Sequence, residues 1–231
     1  MIKPEAVIFD MDGVLIDSEP IHIDIEKKIF DKLGIAVSAE VHRNYLGVAG
    51  DYMYQDLKTR FGLPGSLSEL LHSDDAFRCD YFRQLEGLTL NEGVLNFILE
   101  IKQAGLKLGV ATSSSPALAA ILLERCDIFS FFDVVVTTFE AGKSKPFPDV
   151  YLLAAQKIGV EPADCIVFED SPNGLSAARG AGMFTIAVQT SSVDVRDLLA
   201  ANSLICSFED TSLLKITRLF SGNHSAELSI K

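Results

Sequence analysis

The amino-acid sequence predicts a doubly wound α/β fold, a parallel sheet with a helical domain inserted after its first strand. Three observations carry this. Short apolar, β-branched runs recur along the chain; stretches of helical period separate them; and the alternation is interrupted once, between residues 20 and 85.

The runs at 6–9, 106–111, 134–137, 166–168 and 184–188 are apolar on every residue or nearly so, the pattern of strands buried on both faces. Helix-period segments lie at 93–103, 116–124, 149–158 and 172–179, and Pro116 and Pro172 each follow a serine, as at a helix start. Strand followed by helix, repeated, specifies a parallel sheet. Residues 20–85 hold Ile, Leu and Phe at helical spacing, with punctuation at Gly34, Gly47 and Gly62, and offer no convincing strand. The expected division is therefore a core of residues 1–17 and 88–231 and a helical cap of residues 18–87. An insert at that point is expected above the carboxyl ends of the strands, where open α/β sheets bind ligands. Residues 221–231 read as a polar tail.

The chain has 231 residues, 48% of them hydrophobic and 23% charged, within the range of folded globular proteins. Its formal net charge of −12 argues against nucleic acid as a partner, because binding DNA requires many neutralising Lys and Arg contacts. The same charge repels small anions, so a phosphate site here would need a local cation. Cys79, Cys126, Cys165 and Cys206 show no CxxC spacing and read as reduced structural thiols. No signal peptide or membrane span is evident, so a cytoplasmic protein without a membrane partner is expected, a monomer or weak homodimer.

Chemistry-bearing residues stand at four strand ends. The first run delivers Asp10-Met11-Asp12-Gly13. Extended backbone rises about 3.3 Å per residue and alternates faces, so two carboxylates two residues apart would share a side, where one divalent cation relieves their repulsion. An exposed Asx turn accounts for the same motif. The second run ends Thr112-Ser113-Ser114-Ser115-Pro116, a hydroxyl at a strand tip before a helix start; it suits a phosphoryl oxygen or a plain serine N-cap. The third element is Lys145-Pro146, whose proline biases the lysine away from helical geometry, either a fixed local cation or an ordinary surface lysine. The fourth, Glu169-Asp170-Ser171-Pro172, offers hard oxygen ligands suited to Mg2+ or, equally, acids decorating a helix N-terminus.

Taken in order, these four pieces resemble the haloacid dehalogenase superfamily, closest to its β-phosphoglucomutase-like branch of small-metabolite phosphatases with a helical cap. The likeness spans nearly the whole chain and implies a Rossmann-like core. It implies that Asp10 is the nucleophile that becomes an aspartyl-phosphate, and that Asp12 is the general acid and base. Thr112, with the Ser113 backbone, and Lys145 would bind the phosphoryl group. Mg2+ would lie between Asp10, the Asp12 carbonyl and Asp170, with Glu169 as ligand or supporting partner. Ser114, Asn173, His22 and the cap-loop residue Gly47 fall on the substrate side of this assignment. Asp12 points to phosphoryl transfer, since dehalogenases do not need that acid or the metal.

The implied reaction is hydrolysis of a small phosphorylated metabolite, a sugar phosphate or similar monoester. The alternatives are a phosphomutase and, further off, a non-catalytic phosphometabolite-binding module. Mutases of the branch carry a basic residue on the cap loop where this chain has Gly50, a departure that disfavours the mutase. Among the cap cations, Arg43, Lys58, Arg60, Arg78 and Arg83 are candidates for a second anionic group of the substrate.

Overall fold

The computed structural model describes residues 3–43, 45, 50–191 and 193–228. Six strands, β1 (Ala6–Phe9), β2 (Lys107–Thr112), β3 (Val134–Thr137), β4 (Cys165–Glu169), β5 (Phe184–Val188) and β6 (Ser203–Ile205), form one sheet in the order β3-β2-β1-β4-β5-β6. Every neighbouring pair is parallel. The chain builds outward from β1 to β3, then returns across β1 to start β4 on the other side. That reversal makes the carboxyl ends of β1, β2 and β4 the crevice where doubly wound sheets take ligands.

The chain divides into two compact units, Met1–Asp17 with Gly87–Lys231, and Ser18–Glu86. In the first, the sheet is covered by α-helices that follow the strands. For these the labels α5 (Val94–Gln103), α6 (Pro116–Arg125), α7 (Thr138–Ala141), α8 (Asp149–Ile158), α9 (Pro172–Gly180) and α10 (Leu213–Leu228) are used, after α1 (Glu19–Lys32), α2 (Ala39–Arg43), α3 (Gly50–Phe61) and α4 (Leu67–Gln84) of the second unit. The α5 helix buries Val94, Phe97, Ile98 and Ile101, one stripe of a 3.6-residue period. Ser115 and Ser171 cap α6 and α9, accepting the N–H of Leu118 and Gly174. β1 is buried on all four residues, as a central parallel strand must be.

Beneath the carboxyl edge, Phe9 stacks on Phe168 at 5.2 Å, and Phe97 and Phe208 close around both rings at 5.2–6.1 Å, apart from the Phe9–Phe97 pair at 6.4 Å. Phe9 and Phe168 immediately precede Asp10 and Glu169, so this packed floor fixes the backbone that carries both acids.

Two readings from the sequence are revised. Residues 221–231 are not simply a tail: α10 runs to Leu228, Phe220 is buried against Phe184, and Ser221 is buried with its hydroxyl on the Thr217 carbonyl at 2.9 Å. A short edge strand, β6, extends the sheet beyond β5.

The second unit holds α1 to α4 and no strand among its described residues. Its interior is polar in one place. Arg78 donates to Asp74 at 2.8 Å, to Glu26 at 3.3 Å and to His22 Nδ1 at 3.0 Å; Glu26 also meets His42 at 2.6 Å, and Tyr54 donates to Asp74 at 2.9 Å. Among the described residues, no helix is long and apolar enough to cross a membrane, and no disulfide joins any of the four cysteines.

Candidate active site

Register assembles the site. Phe9 pairs with Val110 on one side and Phe168 on the other, and the Asp10 N–H continues the ladder to the Phe168 carbonyl at 2.9 Å. The next positions along the three strands are therefore Asp10, Ala111 and Glu169, with Thr112 and Asp170 one step further. Three stretches far apart in sequence thus meet at one sheet edge.

Lys145 is the hub. Its ammonium donates to Asp10 Oδ1 at 2.6 Å, to Glu169 Oε1 at 2.6 Å and to the Ala111 carbonyl at 3.2 Å, which uses all three of its protons. Its side chain is 7% exposed. Burial alone would lower its pKa, but Asp10 and Glu169 outweigh that and carry it above the ordinary lysine value, so the charge persists.

Glu169 is fully buried and takes four donors. Oε1 accepts from Lys145 and from the Tyr151 hydroxyl at 2.8 Å, while Oε2 accepts from the Ser171 N–H and hydroxyl, both at 3.0 Å. An ionised carboxylate offers about four lone-pair positions, so these donors fill it. Two glycines make room for the acids. A Cβ at Gly174 would overlap the Glu169 carboxylate, and one at Gly13 would overlap that of Asp170; Gly13 also adopts φ +79°, a left-handed turn that L side chains disfavour.

That turn revises the strand argument for the two aspartates. β1 ends at Phe9, and the chain bends through Gly13, whose N–H donates to Ile16 O while Leu15 N–H returns to Met11 O. Asp10 therefore turns to Lys145, whereas Asp12 Oδ2 accepts from the Ser114 hydroxyl at 2.8 Å. The Ser114 N–H in turn donates to Thr112 Oγ1 at 3.0 Å, linking the second and first strand ends.

Asp10, Glu169 and Asp170 each place one carboxylate oxygen within 4.8 Å of the others, all buried. At that spacing two anions repel by a few kcal/mol at an effective dielectric of about 20, and a single ammonium does not balance three of them. Asp10 registers the excess: burial first, then Glu169 and Asp12, push its pKa up to about 7 against the pull of Lys145. A hard divalent cation fits this donor set. Both oxygens of Glu169 already accept from protein donors, and Asp10 Oδ1 accepts from Lys145.

Of the other residues singled out in the sequence, Ser113 and Asn173 are exposed at the ends of β2 and in the first turn of α9. His22 lies in the helical unit, where Arg78, which can only donate, takes its Nδ1 and so leaves the ring proton on Nε2. Gly47 and the Arg43 side chain lie outside the described residues. The remaining cap cations are held within their own unit: Lys58 by the Leu63 and Gly65 carbonyls, Arg60 by Asp56, Arg78 as above and Arg83 by Asp80. Gly13 and Ser171 stand inside the sequence motifs without a role being assigned to them there, and Tyr151 and Gly174 look like ordinary helix sequence until their neighbour in space is known.

The switch point of the parallel sheet thus brings together a cluster of acids, a lysine and a strand-end hydroxyl. Comparison with known proteins shows where the chain belongs. Residues 4–182 match the family model for haloacid dehalogenase-like hydrolases. The phosphorylated carbohydrates phosphatase of Thermotoga maritima is 34% identical, over 78% of this chain and 82% of its own. The β-phosphoglucomutase of Bacillus subtilis is 31% identical over 80% and 83%. CbbY from Rhodobacter sphaeroides, solved in complex with phosphate, superposes with a TM-score of 0.81 at 28% identity, covering 89% of this chain and 95% of that one. The chain belongs to the haloacid dehalogenase-like hydrolases.

Proposed function

We propose that this hydrolase is a Mg2+-dependent phosphatase of a small phosphorylated metabolite, a sugar phosphate or similar monoester, acting through an aspartyl-phosphate on Asp10. One observation carries the reading: Lys145 bonds the Asp10 carboxylate directly, in a buried cluster whose excess negative charge suits a divalent cation. The relatives named as phosphatases of phosphorylated sugars support the substrate class. The helical unit is read as the family's cap domain.

In this mechanism Asp10 and Asp170, with the Asp12 carbonyl, would hold the cation, and Glu169 anchors Lys145. Mg2+, when bound, supplies charge that lets an anionic nucleophile approach an anionic phosphoryl group. An oxygen of Asp10 attacks phosphorus. Lys145 neutralises charge on both, and Thr112, whose oxygen accepts from Ser114, donates its hydroxyl proton to a phosphoryl oxygen. Asp12 protonates the departing alkoxide, then takes the proton of the water that cleaves the aspartyl-phosphate. Ser114 orients Asp12 for both steps.

The test is release of inorganic phosphate from a panel of sugar phosphates with Mg2+ present. Turnover of at least one, abolished in Asp10→Asn, is expected; no turnover across the panel and with a generic aryl phosphate would overturn the reading. The relative named β-phosphoglucomutase keeps a mutase as the second reading. With β-glucose 1-phosphate a mutase yields the isomeric ester and a phosphatase yields free phosphate; Gly50, where mutases carry a basic residue, favours the latter.

A further inference from the structure

We propose that Tyr151 is a positioning residue for Lys145, its ring supporting the ammonium and its hydroxyl fixing the Glu169 oxygen to which that ammonium is tied. This rests on the phosphatase reading only for its catalytic consequence. The geometry is independent of it. Lys145 Nζ lies 5.1 Å from the centroid of the Tyr151 ring, within cation–π range. The Tyr151 hydroxyl donates to Oε1 of Glu169, the same atom that accepts from Lys145. Tyr151 and Glu169 are both fully buried, so neither contact is exchanged for water.

A lysine is a poor fixed point by itself, because its long stem has many rotamers and its ammonium no preferred plane. Here the stem enters from the loop before α8, and Tyr151 reaches back from the first turns of that helix to the same head group. The ammonium is thus bounded by three oxygens, of Asp10, Glu169 and Ala111, and by one aromatic face. The Tyr151 hydroxyl has a second effect: it shares the charge of Oε1, so Glu169 does not draw Lys145 away from Asp10. Burial and the adjacent carboxylate push the phenol pKa well above its usual value, so the hydroxyl remains a donor throughout the working pH range.

The experiment uses the full chain and two variants. Tyr151→Phe keeps the ring and the packed volume and removes only the hydroxyl; Tyr151→Leu removes both. The readouts are kcat and KM at saturating Mg2+, and the Lys145 ammonium resonance in 15N-labelled protein, assigned with Lys145→Met. Residues that orient a ligand-bearing group typically cost about 10- to 100-fold when removed. Tyr151→Phe should lower kcat by about that factor with less than about a twofold change in KM, and should shift or broaden the ammonium signal; Tyr151→Leu should do more of both. A Tyr151→Phe protein with wild-type kcat and an unmoved resonance would overturn the proposal. If the wild type itself hydrolyses no phosphoester, the phosphatase reading fails, and the resonance alone decides the role of Tyr151: moved, it stands; unmoved, it falls.

Discussion

Replacing Gly174 with alanine should destabilise this protein, although the same change in an ordinary helix stabilises it. Gly174 lies in α9, and alanine gains about 1 kcal/mol over glycine at an unconstrained helical position. Here the added methyl would occupy the space of the Glu169 carboxylate. That carboxylate has to move, and it is held by Lys145, Tyr151 and Ser171. Breaking a buried ion pair by displacing one partner costs about 3–5 kcal/mol, so the net loss should be about 2–4 kcal/mol. For a chain of this length that corresponds to a fall in melting temperature of about 5–15 °C. Gly180, at the end of the same helix, is the matched control, since a Cβ there meets only Pro148 carbons at 3.6–4.0 Å. Thermal melts of Gly174→Ala, Gly180→Ala and wild type, with phosphate release measured alongside, test the argument. A Gly174→Ala protein that melts with the wild type and retains its activity would refute the placement of Glu169.

Three further outcomes follow from the same site and from the helical unit. The Asp10 carboxyl, raised to about 7 from 3.8, keeps a proton in the folded state that the unfolded chain releases near pH 4. The folded state therefore binds more protons between those values, and this group's stabilisation, at most about 4 kcal/mol, is lost as pH rises toward and through 7. Melts at pH 5.5 and 8 should show that loss in the wild type and not in Asp10→Asn, and Mg2+ should restore more stability at pH 8 than at pH 5.5; equal slopes for the two proteins would contradict it. Lys145→Met leaves Asp10 and Glu169 buried without their cation, so kcat should fall by about 10²- to 10³-fold and the variant should melt lower at pH 8 than at pH 5.5. In the helical unit, Arg78→Met strands Asp74 and Glu26 and should cost about 3–5 kcal/mol in chemical denaturation; a loss below about 1 kcal/mol would mean that the network is solvated.

The parts of the fold that were legible are those in which one residue's environment repeats along the chain. Ala6 to Phe9 and Ile166 to Phe168 are apolar without a break because both faces of the central strands are covered. β6 escaped because its three residues, Ser203–Ile205, are half-buried at an edge and carry no run to recognise. The end of α10 escaped because polar side chains conceal a helix anchored by Phe220. In the site, Asp10, Thr112, Lys145 and Asp170 could be read because each stands at a strand end or beside a helix start. Tyr151 and Gly174 could not, since their significance lies in a single contact with Glu169 that no local pattern encodes. Arg78 is one of five cap cations that the sequence offers as candidates for a second anionic group; the sequence does not reveal that two acids and a histidine of its own unit surround it.

The most direct test of the account is acid quenching of the Mg2+-loaded protein during turnover of a substrate carrying radiolabelled phosphate. The account predicts label bound covalently to the protein, released by hydroxylamine as an acyl phosphate is, mapped to the peptide containing Asp10 and absent from Asp10→Asn. Turnover without labelled protein in the wild type, or label that persists in Asp10→Asn, would contradict the assignment of Asp10 as nucleophile.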